Sequence, residues 1–213
     1  AAADELERSV TKLGFKGAMI HGLIGKDRLF IDDKQFWPIF ERAQALDVPL
    51  YIHPANPHPG MVDIYLKDYV ESYPHILQAG WGFTIETATI GLRIILSAVL
   101  DKYPDVKIIL GHLGEGLPFL MRRIDMALNR PGNKGVNFRD LFTSNFYITT
   151  SGFFSDPALL CCIQEMGTDH IMFAIDYPFV PNEPGPKWME SLMLNGNDKA
   201  KILHGNAERI LRL

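Results

Sequence analysis

Four side chains in this sequence combine a reactive type with a suggestive placement. His53 ends the run VPLYIH, His112 ends VKIILGH, Glu115 follows three residues later within GHLGEG, and Asp176 ends HIMFAID. Imidazole nitrogen and carboxylate oxygen are the donors that hold zinc and neighbouring divalent metals while leaving positions open for a substrate. His112 and Glu115 offer something more. Gly111, Gly114 and Gly116 let the chain turn tightly, so Glu115 can reach back to a ring nitrogen of His112, fix its tautomer and raise its basicity. Such a pair can hold a metal ligand or run general acid–base catalysis, and the spacing leaves both roles open. Asp176 alone could cap the turn that begins YPF. Three reactive residues at equivalent strand ends point instead to a shared catalytic metal site.

The elements that must position these residues are short apolar runs alternating with amphipathic segments, the pattern of a parallel sheet built through helical crossovers. Five strands are expected: FKGAMIH ending at His21, VPLYIH at His53, VKIILGH at His112, NFYITTS at Ser151 and HIMFAID at Asp176. Consecutive apolar residues predict burial on both faces. Helical spacing appears in Phe36, Phe40 and Ala43, in Ile85, Ala88, Leu92, Ile95 and Val99, and in Leu117, Met121, Ile124 and Leu128, all read as core stripes. The opening DELERSVTKLG also reads as helix. Two proline-rich loops, HPANPHPG and DYPFVPNEPGP, leave strand ends at His53 and Asp176. In a parallel α/β barrel the strand carboxyl ends converge on the face that carries the active site. His21, His58, His75, His170 and His204 are assigned structural or solvated roles.

Composition narrows the function. With 213 residues, 47% of them hydrophobic, and a formal charge of -4, the chain can bury a full core. Its basic residues are scattered, which excludes the electrostatic footprint of a nucleic-acid binder. No apolar run reaches the roughly 20 residues needed to cross a bilayer, and AAADELERSV lacks the order of a secretory signal, so no membrane partner is expected. Cys161 and Cys162 are adjacent and form neither a disulfide framework nor a CxxC metal site, which suits a reducing cytoplasm.

The stretches YIHPANP, ILGHLGEGLPF, FAIDYPF and ILHGNAERILRL resemble the amidohydrolase-related metal-dependent decarboxylases, the group that includes γ-resorcylate, 2,3-dihydroxybenzoate and aminocarboxymuconate semialdehyde decarboxylases. The resemblance covers nearly the whole chain. It implies an α/β fold, a (β/α)8 TIM-like barrel of the metal-dependent hydrolase type, here the last five βα units. It also implies non-oxidative loss of CO2 from a small aromatic, hydroxybenzoate-like or related carboxylic acid. Residue by residue, it suggests His53 and Asp176 as ligands of one divalent metal, zinc or manganese, and His112 with Glu115 as a catalytic pair. Because decarboxylation needs a proton donor near the carboxyl-bearing carbon, the Asp176 carboxyl is a further candidate beside that pair. Phe179 would lie against the substrate ring. Arg123 matches a substrate-contacting arginine supplied from a neighbouring subunit, which implies a homo-oligomer, dimer or tetramer.

The sequence departs from that family at its start, where an acidic strand with an E-x-H-like signature should contribute to the metal site. The expectation is therefore a single catalytic domain over residues 1–213 that lacks the N-terminal strands of the barrel, with unpaired edges at FKGAMIH and HIMFAID. Two other functions fit parts of the pattern. The same ligands could activate water in a hydrolase of a lactone, amide or similar bond, although Phe179, Tyr177 and Phe83 suit a flat ring. A barrel that has lost its first metal strand could also serve as an inactive binding or scaffold module.

Overall fold

The computed structural model describes residues 1–25 and 29–213. Seven strands occur among them: β1 (Ala18–His21), β2 (Leu23–Ile24), β3 (Leu29–Phe30), β4 (Leu50–His53), β5 (Ile108–Leu110), β6 (Phe146–Thr149) and β7 (Ile171–Met172). β1, β4, β5, β6 and β7 form one parallel sheet in that order, each paired with the next. Helices connect them, as a parallel ladder requires. The antiparallel ribbon β2–β3 is two residues long on each side and was not expected, because so short a pairing leaves no periodic signal.

Alternation along the strands separates two faces. Leu50, Ile52, Ile108, Leu110 and Ile148 are fully buried beneath the helices. Phe138, Phe142 and Phe146 stack in series there, with ring centroids 5.8 and 4.7 Å apart. Truncating Phe142 to alanine would open a cavity costing about 3–5 kcal/mol. On the opposite face Ile109, Tyr147 and Met172 pack with Ile210 of the C-terminal helix Asn206–Leu211. Asn206 secures that helix by donating from Nδ2 to the carbonyls of Thr168 and Ile171 at 2.7 and 2.8 Å.

Several expectations need correction. Burial on both faces holds for β5, β6 and β7 but not for β1, where Met19 is 64% exposed. β1 is the first strand of the sheet and has a neighbour on one side only. β7 lies at the other edge, yet that edge is not bare, since the N–H of Phe173 donates to the Ile202 carbonyl at 2.8 Å. The ladder of β7 also stops well before Asp176. Thr150 takes over from it, its hydroxyl accepting from the Ala174 N–H at 2.9 Å and contacting the Ala174 carbonyl at 2.6 Å. β5 likewise ends at Leu110, two residues before His112, and β6 ends before Ser151.

The helix Gly82–Leu96 is rotated from its expected phase. Its buried residues are Gly82, Glu86, Thr87, Ile90, Gly91, Ile94 and Ile95, whereas Ile85, Ala88 and Leu92 are only half-buried. Val99 belongs to a separate turn, Val99–Lys102, set off by Ala98 in the left-handed region. The other stripes hold, with Phe40, Ala43, Leu117 and Met121 buried. No helix among the described residues is long and apolar enough to cross a membrane.

Candidate active site

The chain leaves the strand ends through a cluster of unusual backbone. His112, Leu113 and Glu115 after β5, Ser151 after β6 and Asp176 after β7 all have positive φ, at 47, 55, 55, 37 and 70°. For residues other than glycine this region is sparsely populated and costs of order 1–3 kcal/mol each, so it persists only where the surroundings impose it. Five such residues after three adjacent strands mark one place where the backbone is bent to aim side chains. Gly114 is required within the turn: it has φ 76°, and a Cβ there would stand 3.0 Å from both Ile148 and Pro118.

The turn does what its glycines foretell. His112 Nδ1 lies 2.6 Å from Glu115 Oε1, and the Glu115 side chain is only 1% exposed. The other carboxylate oxygen, Oε2, accepts from the Thr84 hydroxyl at 2.8 Å. With Nδ1 donating to the carboxylate, Nε2 of His112 faces Asp176, 3.9 Å from its Oδ2. Burial by itself would lower the His112 pKa. The hydrogen bond and charge of Glu115, joined by the charge of Asp176, outweigh it and leave the ring more basic than usual.

His53 is held in the other sense. Its Nδ1 lies 2.8 Å from the Pro54 carbonyl, which can only accept, so Nδ1 is the donor, and in the neutral ring Nε2 then carries the lone pair. That is the tautomer a metal-binding histidine needs. His21, assigned a structural role from sequence, contacts the His53 carbonyl through Nδ1 at 3.2 Å and meets the His53 ring edge-on at 5.3 Å. Among the described residues, no three His, Cys, Asp or Glu side chains gather so as to hold a metal ion. His53 and Asp176 thus offer two donors of the right chemistry, against the three or four protein ligands typical of zinc. Each is a donor type that divalent cations take.

Three groups around this centre were missed by sequence reasoning. Thr84 is one. Glu86 is another, 6% exposed, with Oε2 accepting from the Ala55 N–H at 3.4 Å and from Thr87, and with Oε1 lacking a partner among the described residues. Burial pushes its carboxyl up to about 7, against the lowering effect of those two hydrogen bonds, and the charge of Glu115 adds to the rise. The third is a hydroxyl cluster in which Tyr51 OH lies 3.2 Å from Thr149 Oγ1 and 3.1 Å from Ser151 Oγ, which are 2.5 Å apart. Burial raises the Tyr51 phenol; its two hydroxyl contacts act the other way, and Asp176 and Glu115 reinforce the rise. Polar residues at inward positions of an apolar helix and strand were the available signal for all three.

The remaining predicted residues lie further out. Phe179 is 80% exposed and Tyr177 is exposed too, although the Phe179 N–H is tied to the Asp176 carbonyl at 2.9 Å. Phe83 is half-buried, and Arg123 is exposed on the helix Leu117–Leu128. Cys162 is buried, and its thiol is pushed up to about 12 by burial and by the adjacent Cys161, which makes it a packing residue rather than a nucleophile.

Comparison with known proteins places this geometry in context. The family model described as Amidohydrolase matches residues 1–213. A γ-resorcylate decarboxylase from Polaromonas sp. (strain JS666) is 41% identical over all of this chain, which spans 66% of that relative's length. Among solved structures, a dihydroxybenzoic acid decarboxylase from Polaromonas sp. JS666, with bound manganese and the inhibitor 2-nitroresorcinol, aligns with a TM-score of 0.91 at 42% identity, covering 100% of this chain and 65% of that one. A 5-carboxyvanillate decarboxylase from Sphingomonas paucimobilis aligns with a TM-score of 0.88 at 37% identity, covering 100% of this chain and 63% of that one. The five-stranded parallel sheet corresponds to part of the TIM-like barrel of these proteins. The chain belongs to the amidohydrolase family.

Proposed function

We propose that this chain carries the proton-handling side of a metal-dependent, non-oxidative decarboxylase acting on a hydroxybenzoate-type acid. The observation that carries the reading is the arrangement of Glu115, His112 and Asp176: a buried carboxylate bonded to Nδ1, with the far ring nitrogen turned toward a second carboxylate. His53 Nε2 and Asp176 would hold one divalent metal, zinc or manganese, with further ligands from strands beyond the five of this sheet. In this reading residues 1–213 form a single catalytic domain that those strands complete. The metal supplies Lewis acidity to the substrate carboxylate and its neighbouring hydroxyl.

The residues of this chain do the rest. Glu115 fixes the His112 ring so that a proton at Nε2 stands beside Asp176. That proton is delivered to the ring carbon bearing the carboxylate, by His112 itself or through the Asp176 carboxyl. The bond to CO2 then breaks, its electron pair returns to the ring, and the delivered hydrogen stays on carbon. Positioned acids of this kind contribute about 10² to 10⁴ in rate. Phe179, tethered next to Asp176 and exposed, would close over the substrate ring. Arg123 would reach the site of a second copy, since Phe119, Leu120 and Met126 on its helix are exposed apolar residues suited to an interface in a dimer or tetramer. A cytoplasmic setting suits the free cysteines.

The test is decarboxylation of 2,6-dihydroxybenzoate by the whole protein loaded with manganese or zinc, followed as CO2 and resorcinol. Product formation that depends on metal and on His112 is expected. Absence of product from every hydroxybenzoate offered, with metal bound, would overturn the reading.

A further inference from the structure

Glu115 has two oxygens and two donors from different parts of the fold. His112 Nδ1 takes Oε1 at 2.6 Å, and the Thr84 hydroxyl takes Oε2 at 2.8 Å. His112 is three residues away on the same tight turn, so that bond alone leaves the pair free to pivot together. Thr84 comes from elsewhere, the first turn of the helix Gly82–Leu96. An ionised carboxylate can only accept, so the Thr84 proton must point at Oε2. As a β-branched residue, threonine has a restricted χ1, which limits the places its hydroxyl can occupy.

We propose that Thr84 is a positioning residue for His112, acting through Glu115: it fixes the carboxylate plane and so the direction in which the imidazole Nε2 faces Asp176. The proposal rests on the reading of His112 as the proton-handling group. The helix is well placed for the task. Two residues on, Glu86 accepts from the Ala55 N–H, in the loop that follows His53. One helical turn therefore touches both the acid–base pair and the loop behind a metal ligand. Without the Thr84 hydroxyl, Oε2 would be buried with no donor among the described residues, and the carboxylate would be free to turn about its last torsion.

A role limited to satisfying a buried oxygen predicts a change in stability and nothing at the imidazole. Positioning predicts a change at the imidazole itself. The experiment compares wild type, Thr84→Val and Thr84→Ser in the intact protein with Zn2+ bound, by proton NMR of the His112 Nδ1–H. A short bond to a buried carboxylate gives that proton a far-downfield, slowly exchanging signal, seen without substrate or turnover. Wild type and Thr84→Ser should show it, and Thr84→Val should lose it or move it upfield. Where the protein decarboxylates a hydroxybenzoate, Thr84→Val should lower kcat about 10- to 100-fold with KM little changed, the scale of losses for groups that orient a ligand from behind. Thr84→Ser should restore it.

An unshifted His112 signal in folded Thr84→Val would overturn the proposal, and so would loss of that signal in Thr84→Ser. Should the valine variant not fold, Thr84→Ala removes the hydroxyl without adding a methyl and gives the same reading. A wild-type protein that shows the signal but decarboxylates nothing would refute the proposed reaction while leaving the positioning role standing.

Discussion

Nε2 of His112 and Oδ2 of Asp176 stand 3.9 Å apart, beyond a hydrogen bond and well within reach of each other's charge. One face of the imidazole is committed to Glu115, and the other looks into the space where Asp176 would also meet a metal. The division predicts different losses at the two residues. Asp176→Ala should strip bound metal and turnover together, as read by elemental analysis and CO2 release from the whole protein. Stoichiometric metal retained in Asp176→Ala would remove Asp176 from the ligand set.

His112→Asn should separate the two effects. The proposed ligand set leaves His112 out, so metal content should stay near that of wild type while turnover drops by at least about 10²-fold, the low end of acid–base contributions. An equal fall in metal content and activity would make His112 a ligand instead.

These two residues show how much of the site the sequence held. The His112–Glu115 pair was legible because the glycines around it permit a tight turn and a spacing of three residues puts the two side chains within reach of each other. Asp176 was found as a strand end, although the ladder stops at Met172 and a threonine side chain carries the chain onward. Thr84 and Glu86 were hidden because the helix around them is apolar on nearly every side, so its periodicity gave the wrong inward face. The exposed side of β1 was hidden for another reason: edge position depends on which strands are neighbours, and a run of apolar residues reads the same at an edge and at the centre.

Glu86 carries a pH dependence whose sign follows from its burial. Its carboxyl is raised from 4.5 to about 7 in the folded protein. Between those values the folded state binds a proton that the unfolded state has released, so this contribution to stability falls as pH rises through the window and stays lost above it. A shift of this size corresponds to about 3 kcal/mol at most. Glu86→Gln removes the charge and keeps an oxygen for the Ala55 N–H. Urea unfolding should find the variant more stable than wild type by about 2 kcal/mol near pH 8, with the difference vanishing near pH 4.5. Equal stability near pH 8 would show that Glu86 ionises without cost.

The hydroxyl cluster beneath the site yields the last prediction. Tyr51 on β4 reaches past the end of β5 to Thr149 and Ser151, and no side chain stands in the way there because the residue that follows β5 is Gly111. A Cβ on Gly111 would stand 2.8 Å from the Tyr51 oxygen and 3.5 Å from Ser151 Oγ. Gly111→Ala should therefore push the phenol off its partners and destabilise the protein by about 1–3 kcal/mol, the usual cost of overpacking. Tyr51→Phe alone should cost about 1 kcal/mol, because Thr149 and Ser151 still bond each other at 2.5 Å. Combined, the two changes should cost less than their sum, since removing the oxygen makes room for the methyl group. Denaturant unfolding of the two single variants and the double measures that coupling directly. Strict additivity would mean that the alanine is resisted by something other than Tyr51, and that the crossing at Gly111 does not depend on the glycine in the way the geometry requires.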